Sequence, residues 1–280
     1  MTAIPPAAAQ TAKTFHTLHT ADEVLCLANA WDVATARLVE AAGASAIATT
    51  SAGVAWSLGT ADGDRLDRAV AIDRIREIAA VTDLPVTADV ESGYSTDADG
   101  VGETVREVIA AGAVGVNIED ATHDNGGPLR DLADQSARIA AAREAADALG
   151  VPLYVNARSD TYLAAVGPES GRLAETLDRA AGFVAAGADG VFVPGVKDPE
   201  IIRALAEGID APLNILVGPG SPSVSELRDL GVARVSLGST IVRAAYALVR
   251  RGASELFDAG TYSSLADELP YGEVNALLSR

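Results

Sequence analysis

The chain is poor in sulfur, in aromatic rings and in positive charge. One of its 280 residues is cysteine, so no intrachain disulfide can form and a reducing compartment is expected. Cys26 lies in the apolar run Val24-Leu25-Cys26-Leu27-Ala28, where a buried structural thiol is the expected state. Aromatic residues make up 4% of the chain although 49% is hydrophobic. The core must therefore be built from Ala, Val, Leu and Ile, which lets helices lie close on a sheet. Basic residues number 21 against 39 acidic ones, a net charge of −18. A surface of that sign repels phosphate backbones and anionic lipid, which argues against nucleic-acid and membrane partners. An anionic substrate is still compatible with it, provided a metal or an arginine reverses the sign locally. No uncharged run approaches the roughly 18 residues needed to span a bilayer. The first 14 residues are rich in Ala, Pro and Thr and contain no basic segment followed by an apolar stretch. They read as a disordered leader ahead of one cytoplasmic domain, residues 15–280.

What the chain does contain is an alternation of short apolar runs with amphipathic stretches. The runs are Leu25–Ala30, Ala46–Ser51, Pro85–Glu91, Gly115–Asp120, Leu153–Asp160, Gly190–Gly195, Leu213–Gly218 and Arg234–Ser239, eight in all. Near-continuous apolar runs of this length suit strands buried on both faces of a parallel sheet. The helical stretches include Leu66–Val81, Thr104–Ala111, Leu132–Leu149, Leu173–Ala186 and Val224–Leu230. Gly43, Gly112, Gly187 and Gly231 each end such a stretch, as left-handed helix terminators do. They alternate with entries through Pro85, Pro152 and Pro212, the pattern of repeated βαβα units. Eight β-then-α units predict a closed (β/α)8 TIM barrel, with an open doubly wound sheet as the alternative. A helical tail from about residue 252 is free to cap the barrel or to pack on a neighbouring subunit.

In such a barrel the chemistry sits at the C-terminal ends of the strands. Asp89 and Glu91 are two residues apart in one run, so as strand residues they point to one face, and Glu119 on the next run can join them. Three crowded carboxylates need a cation to stay ionised. Oxygen ligands without His or Cys select Mg²⁺, or Mn²⁺ in its place. The spacing equally allows these acids to cap helices or pair with arginines. Arg158, ending run five, faces the acids and suits either a substrate carboxylate or an ion pair with Glu119 or Asp89. Ser51-Ala52-Gly53 is a small-residue turn able to cradle an anion or merely to connect. His123 lies in a Gly- and Pro-containing loop of lid-like composition, as an acid–base candidate or an inert surface residue.

Laid out along the strand ends, the chain resembles the isocitrate lyase/phosphoenolpyruvate mutase superfamily from about Leu25 to Ala245. Ala88-Asp89-Val90-Glu91-Ser92-Gly93-Tyr94 resembles its D-x-D-x-G-Y metal motif with Glu for the second Asp. Asn117-Ile118-Glu119-Asp120 resembles its L-E-D element, and Asn156-Ala157-Arg158-Ser159-Asp160 its A-R-T-D element. Ser51-Ala52-Gly53 is similar to the S-G-G turn, Leu58-Gly59-Thr60-Ala61-Asp62 to L-G-x-x-D, and Arg243 to the arginine of F-R-A. Asn214 stands at the family's strand-seven Asn.

The resemblance implies Mg²⁺ held by Asp89, with Glu91, Glu119 and Asp62 acting directly or through water. It implies a small oxo- or hydroxy-carboxylate substrate held by Ser51, Ala52, Gly53, Arg158, Asn214 and Arg243, with enolate chemistry. It also implies dimers or tetramers in which a C-terminal helix swaps between barrels. Two sets of residues depart from the pattern. The segment after Asp120 lacks the Cys and Lys of the lyases' K-[KR]-C-G-H loop, and it keeps Asn125 but not the lysines of the phosphonomutases. A Mg²⁺-dependent C–C lyase or decarboxylase survives these losses best, with Arg158 at the reacting centre and Tyr94 or His123 as proton donor. The alternatives are a phosphoenolpyruvate mutase or phosphonopyruvate hydrolase, and a barrel that binds a 2-oxo acid without turning it over.

Overall fold

The computed structural model describes residues 6–122 and 128–279. In chain order the elements are α1 (Pro6–Leu18), β1 (Leu25–Leu27), β2 (Asn29–Ala30), α2 (Val33–Ala41), β3 (Ile47–Thr49), α3 (Ser51–Ser57), α4 (Arg68–Ala79), β4 (Val86–Asp89), α5 (Ala98–Ala110) and β5 (Gly115–Glu119). They continue with α6 (Leu132–Ala148), β6 (Tyr154–Arg158), α7 (Glu169–Ala185), β7 (Gly190–Val193), α8 (Pro199–Gly208), β8 (Leu213–Leu216), α9 (Val224–Asp229), β9 (Arg234–Ser236), α10 (Thr240–Ala259) and α11 (Tyr271–Leu278).

All strand pairs are parallel, in the order β1-β9-β8-β7-β6-β5-β4-β3-β2. The first apolar run, interrupted at Ala28, supplies both ends of that order. Leu25–Leu27 pairs with Arg234–Ser236, and Asn29–Ala30 pairs with Ala48–Thr49. One run thus closes the sheet on itself, and the architecture is the expected (β/α)8 barrel. Asn29 fastens the seam: its Nδ2 donates to the Thr49 carbonyl at 2.8 Å, and its Oδ1 accepts from the Gly238 amide at 2.7 Å. The four terminator glycines all have positive φ, between +90° and +105°, and hand each helix to the next strand without a Cβ clash.

The N-terminal segment differs from the expected disordered leader. Residues 6–18 are helical, and Ala12 and Phe15 are fully buried in the main core. α1 plugs the N-terminal mouth of the barrel. His19 stacks on Tyr154 of β6 with ring centroids 3.7 Å apart, and Phe15 meets the same ring edge-on at 5.6 Å. Gly115 makes room for this plug, since a Cβ there would lie 2.7 Å from the Phe15 ring. His16 joins in through a 3.0 Å bond between Nε2 and the Pro152 carbonyl. His16 and His19 therefore hold the bottom of the barrel.

Cys26 also departs from expectation. Strand alternation turns Leu25 and Leu27 inward, and Cys26 between them is exposed. No helix of the described residues is long and apolar enough to cross a membrane. On α10, Val249, Leu256 and Phe257 are all exposed, Phe257 to 82%. α11 packs back against α2.

Candidate active site

At the C-terminal ends of the strands lies a cavity of ≈ 220 Å³. Its charged lining is Asp62, Asp89, Arg158 and Arg243, and its polar lining includes Asn29, Ser51, Asn117 and Ser236. Four residues from four different strand ends or loops thus put two acids and two arginines around one small space.

Asp89 is the last residue of β4. Its Oδ2 accepts from the Ser51 amide at 3.1 Å and from the Ser51 hydroxyl at 2.8 Å. Ser51 opens α3, whose N-cap is Thr50, so Ser51-Ala52-Gly53 is the first turn of a helix. Ser51 and Ala52 line the cavity. Gly53 lies against packing instead: a Cβ there would meet Trp31 at 2.9 Å.

Glu91 does not project beside Asp89. The strand ends at Asp89, and Glu91 has φ of +52°, which turns its side chain away from the position strand alternation predicts. Its buried carboxylate instead accepts from the Gly63 amide at 2.9 Å and from the Asp64 amide. Burial pushes its pKa up to about 8, opposed by the Asp64 amide and reinforced by the nearby Asp62, Asp64 and Asp89 charges. Glu91 thereby holds the loop that carries Asp62 into the cavity wall. Tyr94 lies behind Glu91, outside the cavity lining. Its hydroxyl bonds the Glu91 carboxylate, and its pKa is raised well above the ordinary tyrosine range by burial and by that charge.

Glu119 is likewise turned to a protein partner. Arg158 Nη1 lies 2.6 Å from Glu119 Oε2, its Nε 2.5 Å from Asp160 Oδ1 and its Nη2 2.8 Å from Asp160 Oδ2. The strand register sets the first pair, because Glu119 and Arg158 are directly opposed in β5 and β6. Burial works against the guanidinium charge, but Glu119 and Asp160 overcome it and raise its pKa above the ordinary value. The same guanidinium lies 5.8 Å from the Phe192 ring centroid. Arg158 is thus fixed in orientation by its own acids while facing the cavity. Asp160 is a site residue that sequence reasoning missed as a clamp, although the two-residue spacing from Arg158 was visible.

Asn214 is buried beneath the cavity and is absent from its lining. Its Oδ1 accepts from Ser236 Oγ at 3.2 Å, and Ser236 forms part of the floor. Arg243 lies at the wall in the first turns of α10. His123 lies outside the described residues. The stem of its loop is closed by a bridge between Ala121 and Leu129 and by Thr122 N donating to the Pro128 carbonyl at 3.2 Å. Arg179 of α7 steadies that stem, donating to Asp120 Oδ2 at 3.3 Å and to the Arg130 carbonyl at 3.0 Å. Among the described residues, no three His, Cys, Asp or Glu side chains form a metal-holding group. Of the three carboxylates expected to crowd together, Asp89, Glu91 and Glu119, only Asp89 lines the cavity, where Asp62 joins it.

Fold and site together define an α/β barrel with acids and arginines gathered at the strand ends where barrel enzymes do their chemistry. The phosphoenolpyruvate phosphomutase family profile matches residues 15–257, and the chain belongs to that family. An uncharacterised Mycobacterium tuberculosis protein is 36% identical over 264 residues, spanning 94% of this chain and 95% of its own. A 2-methylisocitrate lyase of Bacillus subtilis is 27% identical over 283 residues, with 94% and 90% covered. A solved structure from Burkholderia cenocepacia, described only as a lyase or mutase, is 38% identical with a TM-score of 0.91, covering 98% of this chain and 97% of that one.

Proposed function

We propose that the protein is a Mg²⁺-dependent carbon–carbon lyase or decarboxylase that acts on a small 2-oxo or 2-hydroxy dicarboxylate through an enolate. The observation that carries this reading is that Asp89 and Arg158 face the same ≈ 220 Å³ cavity from the ends of β4 and β6. The donor set fits the cation. Asp89 and Asp62 are oxygen donors with no His or Cys beside them in the lining. Mg²⁺ commonly binds through one or two carboxylates, with water and substrate completing its shell. When bound, the cation supplies Lewis-acid charge to the substrate oxygen on which negative charge gathers. Mn²⁺ would serve in its place.

The chain's own residues then divide the remaining work. Ser51 holds one oxygen of Asp89 and leaves the other for the cavity. Arg158, held by Glu119 and Asp160, presents a preoriented fork to a substrate carboxylate. Arg243 meets a second carboxylate at the wall. Glu91 acts by fixing the loop of Asp62, with Tyr94 behind it. The proton for the departing carbon comes from water or from His123, the titratable side chain that follows Thr122 in the sequence.

Support for an assembly comes from α10. Val249, Leu256 and Phe257 are spaced by seven and eight residues, so they share one exposed apolar stripe of the kind a neighbouring copy would cover.

The test is a substrate panel of oxaloacetate, 2-methylisocitrate, isocitrate, dimethylmalate and phosphonopyruvate, followed by NMR with Mg²⁺ and with EDTA. Metal-dependent cleavage of a C–C substrate supports the proposal. Turnover of phosphonopyruvate alone overturns it in favour of phosphonate chemistry.

A further inference from the structure

Arg234 lies in the barrel interior, 1% exposed, and among the described residues it forms no ion pair with a carboxylate. Two partners receive its terminal nitrogens. Nη1 faces His19 Nε2 at 3.5 Å, and Nη2 donates to Asn117 Oδ1 at 3.2 Å. Its Nε finds no protein acceptor. The same Asn117 oxygen also accepts from Asn156 Nδ2 at 2.9 Å.

An arginine can only donate. The Asn117 amide must therefore turn its oxygen toward Arg234, whichever way neighbouring amides are flipped. Asn117 also lines the cavity. With its oxygen held from beneath by two donors, the end it offers the cavity is the NH₂ group. Asn117 is in register with Asp89 on β4, so this donor stands beside the acid proposed to hold the cation.

We infer that Asn117 is a substrate-binding residue, its side-chain NH₂ donating to an oxygen of the anionic ligand, and that Arg234 is the positioning residue that keeps the amide in that orientation. The inference rests on the reading of this cavity as a carboxylate site. It adds a neutral donor to the two arginines and favours an acceptor oxygen, most strongly a charged one, over an NH₂ group at that position.

The test uses oxalate, a small planar dicarboxylate, titrated into the full chain with Mg²⁺ by calorimetry, with oxamate as its amide counterpart. N117A is expected to weaken oxalate binding about tenfold or more, the cost of one hydrogen bond to a charged group. N117D replaces the donor by acceptors but gives buried Arg234 a counter-charge. It is therefore expected to keep or raise Tm while lowering the oxalate-over-oxamate preference at least tenfold, a separation that a merely structural role would not produce. R234M is expected to weaken oxalate binding in the native background and to have less than a twofold further effect in N117A. Native-like oxalate binding by N117A and N117D overturns the assignment of Asn117. An R234M effect equal in both backgrounds overturns the positioning role. Failure of the unsubstituted protein to bind oxalate with Mg²⁺ overturns the carboxylate-site reading itself, and this inference with it.

Discussion

Arg158 and Asp160, two residues apart where β6 ends, are joined by two parallel hydrogen bonds of 2.5 and 2.8 Å. The fork fixes the plane of the guanidinium before any ligand arrives, so its orientation need not be bought at binding. Asp160→Asn keeps the shape and removes the charge. It is expected to weaken oxalate binding by about tenfold in calorimetry, with Arg158→Ala weaker still. Unchanged affinity in D160N would show that the pair serves only the fold.

Asn29 ties the first run to both neighbours at the barrel seam. Asn29→Ala leaves the Thr49 carbonyl and the Gly238 amide without these partners. A buried polar group left unpaired costs about 1–3 kcal/mol. Urea unfolding of N29A is expected to show a loss of about 2–4 kcal/mol, more than that from an exposed helix position.

Much of this was legible in the sequence, and the parts that were not have identifiable causes. The barrel was legible because strands buried on both faces read as unbroken apolar runs, and because Gly43, Gly112, Gly187 and Gly231 mark helix ends. Asp62, Asp89, Arg158, Arg243, Ser51 and Ala52 do meet at the cavity. Glu91 was misplaced because period-two reasoning assumes that the strand continues, whereas its left-handed φ is set by distant amides in the 63–64 loop. α1 was missed because its fully buried residues are Ala12 and Phe15, of which only Phe15 is strongly apolar. Asn117 was hidden inside an apolar run, although it shares a strand face with Glu119 two residues on.

His19 gives the protein a pH signature. Burial, with the Arg234 charge beside it, lowers its pKa to about 3 from an ordinary value near 6.5. Between those values the unfolded chain takes up a proton that the folded chain refuses. The stabilisation is therefore complete above about pH 6.5 and is lost as pH falls toward 3, on the order of a few kcal/mol for this group. Thermal unfolding of the native protein should fall steeply over that window. His19→Gln should be less stable at pH 7 and show a flatter slope between pH 6.5 and 4. An identical slope would remove His19 from the account.

The apolar stripe on α10 predicts self-association. Sedimentation velocity is expected to show a species larger than one 280-residue chain. Substituting Asp at Val249 and Phe257 is expected to shift it toward monomer, since both side chains are exposed in the single chain and neither supports its core. A native protein that sediments as a monomer would leave the stripe without this explanation.

The central claim is that a cation held by Asp89 drives the chemistry in this cavity. The most direct measurement compares the native protein and Asp89→Ala for Mg²⁺-dependent turnover of the C–C substrate that the panel identifies, with Mn²⁺ binding followed by electron paramagnetic resonance. The account predicts that D89A stays folded, loses metal affinity by at least tenfold and loses turnover, as the native protein does in EDTA. Retention of metal binding and turnover by D89A would contradict it.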